Sequence, residues 1–162
     1  MPRIMITGSF DPVTVGHEDI IRRAASIFSD VRVVVFLNPE KPGMFTPEER
    51  LRLLTLACAK YPNVTADLDT GMVIDYVKRE EISLILRSVR DEKDLPYEME
   101  MADFNRTGSG VETLLLSADP ALTDVSSSEI RRRITENEDY FSLLPAEIRK
   151  ETEEIVKNRI RK

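Results

Sequence analysis

Cysteine is almost absent from this chain: Cys58 is the only one, so no internal disulfide and no cysteine-based zinc cluster can form. It follows Leu51 and Leu54 at helical spacing and reads as a small core residue. No apolar run approaches the roughly 20 residues that a membrane span needs. No signal-peptide pattern opens the chain either, because Met1-Pro2-Arg3 leads straight into an apolar strand pattern. A cytoplasmic protein without membrane contact is expected. A basic excess is also missing: the net charge of −6 argues against general nucleic-acid binding. An acidic protein that handles polyphosphates must instead gather its few cations in one site. There is no internal repeat, no low-complexity tract, no linker and no Walker A sequence. Gly108-Ser109-Gly110 contains a G-x-G, but it follows a helix and precedes a strand, the reverse of a dinucleotide fingerprint, and reads as a turn.

What is present is alternation. At 162 residues the chain fits one domain, residues 1–162. Short, nearly continuous apolar runs predict strands at Arg3–Thr7, Val31–Leu37, Val64–Asp67, Leu84–Leu86 and Thr113–Leu116, each suited to burial on both faces of a parallel sheet. Between them lie helical patterns. Ile20, Ile21, Ala24, Ile27 and Phe28 share one face, and Thr46-Pro47-Glu48-Glu49 is a capping box with Pro at the first helical position. Further helices are predicted near Met72–Glu80, Lys93–Arg106, Ser127–Glu136 and Pro145–Arg159. The pattern predicts an α/β fold, a single doubly wound parallel sheet of Rossmann-like form with C-terminal helices, and any ligand at the strands' carboxyl ends.

The stretch from Thr7 to His17 joins the first strand to the first helix. Gly8 stands where backbone must turn or approach a ligand, and Asp11-Pro12 makes a rigid bend. Gly16-His17 falls at the helix start, where free N–H groups and the positive dipole end favour phosphate. An imidazole there can aim an N–H at the same anion; a packing or capping role is the alternative.

Gly8-Ser9-Phe10-Asp11-Pro12 followed by Thr14-Val15-Gly16-His17 resembles the T/H-x-G-H signature of the nucleotidyltransferase superfamily, and Thr14 at the head of the tetrad is similar to its phosphopantetheine adenylyltransferase branch. The resemblance runs from about Arg3 to Glu147. It implies adenylyl transfer from ATP to 4′-phosphopantetheine, giving dephospho-CoA and pyrophosphate reversibly, with Mg²⁺ carried on ATP oxygens rather than in a protein cage. Coenzyme A as feedback inhibitor and a homohexamer are implied in the same way.

By that resemblance Asn38–Thr46, followed by Glu48-Glu49-Arg50, supplies a catalytic lysine, Lys41, and Val73 marks where backbone meets the pantetheine arm. Arg87-Ser88-Val89-Arg90 is expected just after the fourth strand, as a phosphate clamp. Glu98, in Tyr97-Glu98-Met99, corresponds to a nucleotide contact. Val125-Ser126-Ser127-Ser128 matches the second signature, which serves the triphosphate; on its residues alone, Ser126 with Glu129 is a capping box. Ser9 and Phe10 join the ATP set with His17, Ser88, Val89 and Arg90, while Ser9, Lys41 and Arg87 would hold the acceptor phosphate. Arg131-Arg132-Arg133 reads as solvated helix surface. Two departures stand out: Thr7 where the family commonly has Pro, and Ser88 where it commonly has Gly. The alternatives are a related nucleotidyltransferase, acting on nicotinate mononucleotide or on glycerol phosphate with CTP, and a non-catalytic ATP-binding protein.

Overall fold

A computed structural model describes residues 1–161. Five strands form one parallel sheet: β1 (Arg3–Gly8), β2 (Asp30–Phe36), β3 (Val64–Asp69), β4 (Leu84–Val89) and β5 (Glu112–Ser117). Their order is β3-β2-β1-β4-β5, so the chain winds outward in both directions from β1. In such a sheet the crevice lies beyond the carboxyl ends of the two strands flanking the reversal, here β1 and β4.

Among the described residues six α-helices cover the sheet: α1 (Val15–Ile27), α2 (Pro47–Cys58), α3 (Val73–Arg79), α4 (Leu95–Ser109), α5 (Ser127–Thr135) and α6 (Arg149–Ile160). Strand side chains alternate between faces. Ile4 and Ile6 therefore join Val31, Val33 and Val35 under α1, α2 and α5, while Met5, Val34 and Ile85 pack against Tyr76 and Val77 of α3. Cys58 is buried within the first cluster, and burial, with the nearby Glu18 charge, pushes its thiol up to about 12. The predicted last helix is two pieces, a 3-10 turn at Ala146–Ile148 and then α6.

Helix α4 is inverted. It buries Glu98 and Asn105 and exposes Leu95, Tyr97, Met99 and Phe104. Its polar face looks into the molecule because that face borders cavities rather than core.

Four strands end later than the sequence suggests, while β2 ends one residue earlier at Phe36, and at β4 this matters. Arg87, Ser88 and Val89 lie within the strand, not in a loop after it. Beyond Leu86 the strand no longer pairs with β1, whose register with it covers only Ile4 to Ile6, yet it stays paired with β5 through Val89. Meanwhile β1 continues along β2 to Gly8. The sheet is thus split at its centre for its last turn of strand, and the split opens the crevice.

Candidate active site

The Thr7 carbonyl borders this split, where β1 has no β4 partner, and an unpartnered buried carbonyl is costly. Arg87 closes the gap with its side chain: Nη1 donates to the Thr7 carbonyl at 2.5 Å and to Thr7 Oγ1 at 3.1 Å. Its other edge is held by Glu98 in a bidentate pair, Nε to Oε2 and Nη2 to Oε1, both at 2.9 Å. Burial works against the Arg87 charge, but the Glu98 bonds outweigh it and raise its pKa. Most of the guanidinium donors are therefore already engaged within the protein. Thr7, the departure from Pro, supplies the hydroxyl in this set.

Arg87 stands in the wall of three adjoining cavities of about 250, 280 and 220 Å³. Each is small for a nucleotide-sized ligand, and their shared walls make them compartments of one crevice. The first is bounded by His17, Ser88, Arg90, Glu98, Val125, Ser126 and Ser127, together with Thr14 and Gly16. The second runs past Ser9, Phe36, Val73, Tyr97, Met101, Ala102, Asn105 and Thr113. The third lies in the split itself, between Thr7–Phe10, His17, Arg87, Ser88 and Ser127.

The chemistry of His17 follows from its place in α1. Thr14 is the N-cap; its hydroxyl accepts the His17 backbone N–H at 3.2 Å, and Nδ1 of His17 accepts the Thr14 backbone N–H at 3.0 Å. The imidazole occupies the place of Glu or Gln in a capping box. It is both a cap and a wall of the crevice. Because Nδ1 accepts, the proton of the neutral ring resides on Nε2, which has no protein partner among the described residues. The ring is partly open to the crevice but otherwise enclosed. That burial, then the charges of Arg87 and Arg90, lowers its pKa to about 4. Near neutral pH it is an uncharged N–H donor.

Phe10 fixes the ring from the side, edge-on at 4.8 Å between centroids. Its own backbone has φ +43, a left-handed conformation that is rare for a bulky residue and costs about 1–2 kcal/mol. Gly8 is required by this packing, since a Cβ there would lie 3.1 Å from the Phe10 ring, and it also lines the second and third cavities.

The three serines divide their bonds. Ser126 Oγ accepts the Glu129 N–H at 3.1 Å and caps α5, but the Glu129 carboxylate does not return the bond; Arg132 and Arg133 take it instead. The expected capping box is half formed, because two guanidiniums outcompete one backbone N–H for a carboxylate. Ser127 Oγ donates to the Pro12 carbonyl at 2.7 Å, so its hydroxyl proton is committed within the protein. Ser128 Oγ accepts from Arg131 at 3.0 Å and keeps its own proton to donate.

Arg131 itself is a correction. Its Nη1 also donates to the Asp11 carbonyl at 2.8 Å, half-buried, whereas Arg132 behaves as the expected surface cation among Glu129, Glu136 and Glu138. Sequence reasoning missed Asp11 too. Its carboxylate, 5% exposed, accepts Met44 N–H at 3.0 Å and Phe45 N–H at 2.8 Å, with Arg50 at 3.3 Å. An acidic residue before Pro looks like turn chemistry, and only its burial marks it as something else.

The crevice gathers Ser9, Phe10, His17, Val73, Arg87, Ser88, Arg90, Glu98, Val125, Ser126 and Ser127 in its walls. Lys41, Val89 and Ser128 stand outside them. Lys41 is on an exposed turn, closed by its N–H to the Asn38 carbonyl at 3.1 Å. Ser88 is not among the residues with positive φ, so a side chain in place of Gly carries no backbone strain. Two residues without a signal in the sequence also matter. Asn105 Oδ1 and Thr113 Oγ1 are buried without a hydrogen-bond partner, and both residues line the second cavity.

The central reversal in strand order and the split above it define the class. The family model described as cytidylyltransferase-like matches residues 5–133, most of the chain. The lipopolysaccharide core biosynthesis protein of Thermoplasma volcanium GSS1 shares the fold, with a TM-score of 0.54 at 22% identity over 74% of this chain and 97% of that one. Two relatives are nearer. The phosphopantetheine adenylyltransferase of Thermobifida fusca is 41% identical over 90% of this chain and 88% of its own length. That of Streptomyces coelicolor is 38% identical over 98% and 100%. The chain belongs to the phosphopantetheine adenylyltransferase family, within the nucleotidyltransferases.

Proposed function

We propose that this protein transfers AMP from ATP to 4′-phosphopantetheine, forming dephospho-CoA and releasing pyrophosphate. The observation that carries the reading is the meeting of two unlike compartments at Arg87. One is walled by hydroxyls, by Arg87 and Arg90 and by two helix N-termini, with the carboxylates of Asp94, Glu98 and Asp119 also on its wall. The other is walled by Val73, Tyr97, Met101 and Ala102, with two unsatisfied polar atoms on Asn105 and Thr113. The first suits a nucleoside triphosphate. The second suits a long arm that is largely apolar but carries amides, each able to satisfy one buried orphan atom.

The acceptor is a phosphate monoester, largely ionised at neutral pH because its second pKa is about 6. It needs no protein base and no covalent intermediate. Catalysis can rest on in-line positioning and on donors aimed at the charge around the α-phosphorus. In this reading His17 Nε2–H, Arg90, Ser128 and the N-terminus of α5 face the triphosphate. Ser9 and Arg87 face the acceptor phosphate, and Lys41 reaches between the two on its flexible stem. Glu98 holds Arg87 in place and presents its remaining lone pairs to the nucleotide.

Among the described residues no three His, Cys, Asp or Glu side chains converge. Mg²⁺ would enter with ATP, carried on phosphate oxygens. Assembly as a homohexamer and inhibition by coenzyme A belong to the same proposal. The exposed Tyr97, Met99 and Phe104 of α4, beside Leu114 and Leu115 of the edge strand, support self-association. A cytoplasmic site of action belongs to the same proposal; among the described residues no helix is long and apolar enough to cross a membrane.

The test is an acceptor screen for pyrophosphate release. ATP with 4′-phosphopantetheine should turn over, while ATP with nicotinate mononucleotide, and CTP with glycerol phosphate, should be inert. Equal or faster release with either of the latter rejects the proposal.

A further inference from the structure

Three segments remote in sequence carry the phosphate ligands proposed above: the Ser9–His17 loop, the loop around Lys41, which lies outside the cavity walls, and the Ser126–Ser128 turn. The ladder of the sheet does not join them, yet all three meet at Asp11. Its carboxylate holds the Met44 and Phe45 N–H groups, from the loop of Lys41. Arg50 locks that contact from the far side, donating to the Phe45 carbonyl at 3.0 Å and to the Ser9 carbonyl at 3.4 Å. The Asp11 carbonyl holds Arg131, which holds Ser128, and the neighbouring Pro12 carbonyl holds Ser127.

Asp11 and Arg50 are each 5% exposed. A buried ion pair tolerates little displacement, because any movement strands a charge without water. The link between the loops is therefore stiff where loops are ordinarily compliant. Gly43 fits the same reading: a Cβ there would lie 1.6 Å from Arg50 Nη2 and 2.6 Å from Asp11 Oδ2, so the loop passes directly over the pair.

We propose that Asp11 is a positioning residue for adenylyl transfer, setting the distance between the three phosphate-facing segments without touching a reacting atom. It is absent from the walls of all three cavities. The inference rests on the adenylyl-transfer reading, in which an in-line displacement needs donors from all three segments at once. A misplacement of about 1 Å at such a site costs on the order of 10²-fold in rate.

Two variants test it. Asp11→Asn keeps the shape but replaces one acceptor oxygen by a donor that faces other donors. Corrected for the folded fraction, its kcat should fall on the order of 10²-fold, with ATP affinity by calorimetry within about threefold. Arg131→Gln removes the outer link, together with the 3.5 Å ion pair of Arg131 Nη1 with Asp11 Oδ2, and leaves the Asp11–Arg50 pair in place. Its kcat should fall on the order of 10-fold, and Arg131→Lys should recover part of the loss. Wild-type kcat in either folded variant overturns the proposal, and if Asp11→Asn does not fold, Arg131→Gln decides. Should the wild-type protein release no pyrophosphate, the functional reading fails by itself. Amide exchange then judges the strut: Arg131→Gln should accelerate exchange at Met44 and Phe45, and unchanged exchange there overturns it.

Discussion

His17 is the only histidine in the chain, so its titration can be read without ambiguity. Its Nδ1 accepts a backbone N–H, and burial holds its pKa to about 4, below the usual 6.5. By ¹H–¹⁵N correlation the neutral ring should be the Nε2–H tautomer, with a midpoint well below 6.5. A midpoint at or above 6.5, or an Nδ1–H tautomer, would remove the argument for a neutral donor. The unfolded chain binds this proton more readily than the folded one between about 6.5 and about 4. The contribution to stability is therefore complete above about 6.5 and is lost as pH falls toward 4. Bound polyphosphate, by placing anions against Nε2, should shift the midpoint upward. The sequence made His17 visible through Gly16 and the strand-to-helix step. It offered capping only as the alternative to a functional role, whereas the ring does both, closing the cap in place of the usual Glu or Gln.

At the scale of elements, two glycines with similar steric crowding should behave differently. In the loop before α2, a Cβ at Gly43 meets Arg50 and Asp11, which are buried and mutually fixed. In α4, a Cβ at Gly108 meets Ile74 Cδ1 at 2.3 Å, the free end of a flexible side chain. Gly43→Ala should lower unfolding stability by about 1–3 kcal/mol through overpacking. Gly108→Ala should stay within about 1 kcal/mol, since Ala regains up to about that much in helix propensity. Denaturant titration of both variants checks the order, and a reversed order would show that the Asp11–Arg50 pair yields easily. The predicted elements all exist, and their periodicity was sufficient to find them. The ends of β4 were not legible: Arg87 and Ser88 are polar, and only pairing with β5 keeps them in the strand.

For the whole molecule, Cys58 reports on integrity. Its thiol is enclosed by the larger core cluster, and burial pushes it up to about 12, so little thiolate exists at neutral pH. Native protein should resist a thiol-specific reagent, with labelling that follows the unfolding rate as denaturant is added. Prompt labelling of the native state would contradict the packing of α2 on the sheet. The two faces of the sheet differ in the same global sense. The α1–α2–α5 side carries the larger cluster, whereas α4 turns polar residues inward toward the cavities.

The amino-acid sequence alone determined the α/β class, the parallel sheet and the loop of Gly8 to His17 as the place of interest. Those features follow from local periodicity and turn chemistry, which are properties of neighbours in the chain. Only the tertiary structure decided that β1 and β4 part company after Leu86, that Arg87 spans the gap to Thr7 and Glu98, and that Asp11 joins three segments. Each of these depends on which strand pairs with which, and on where a charge loses its water. A carboxylate before proline looks the same in sequence whether it is solvated at a turn or sealed beneath a glycine.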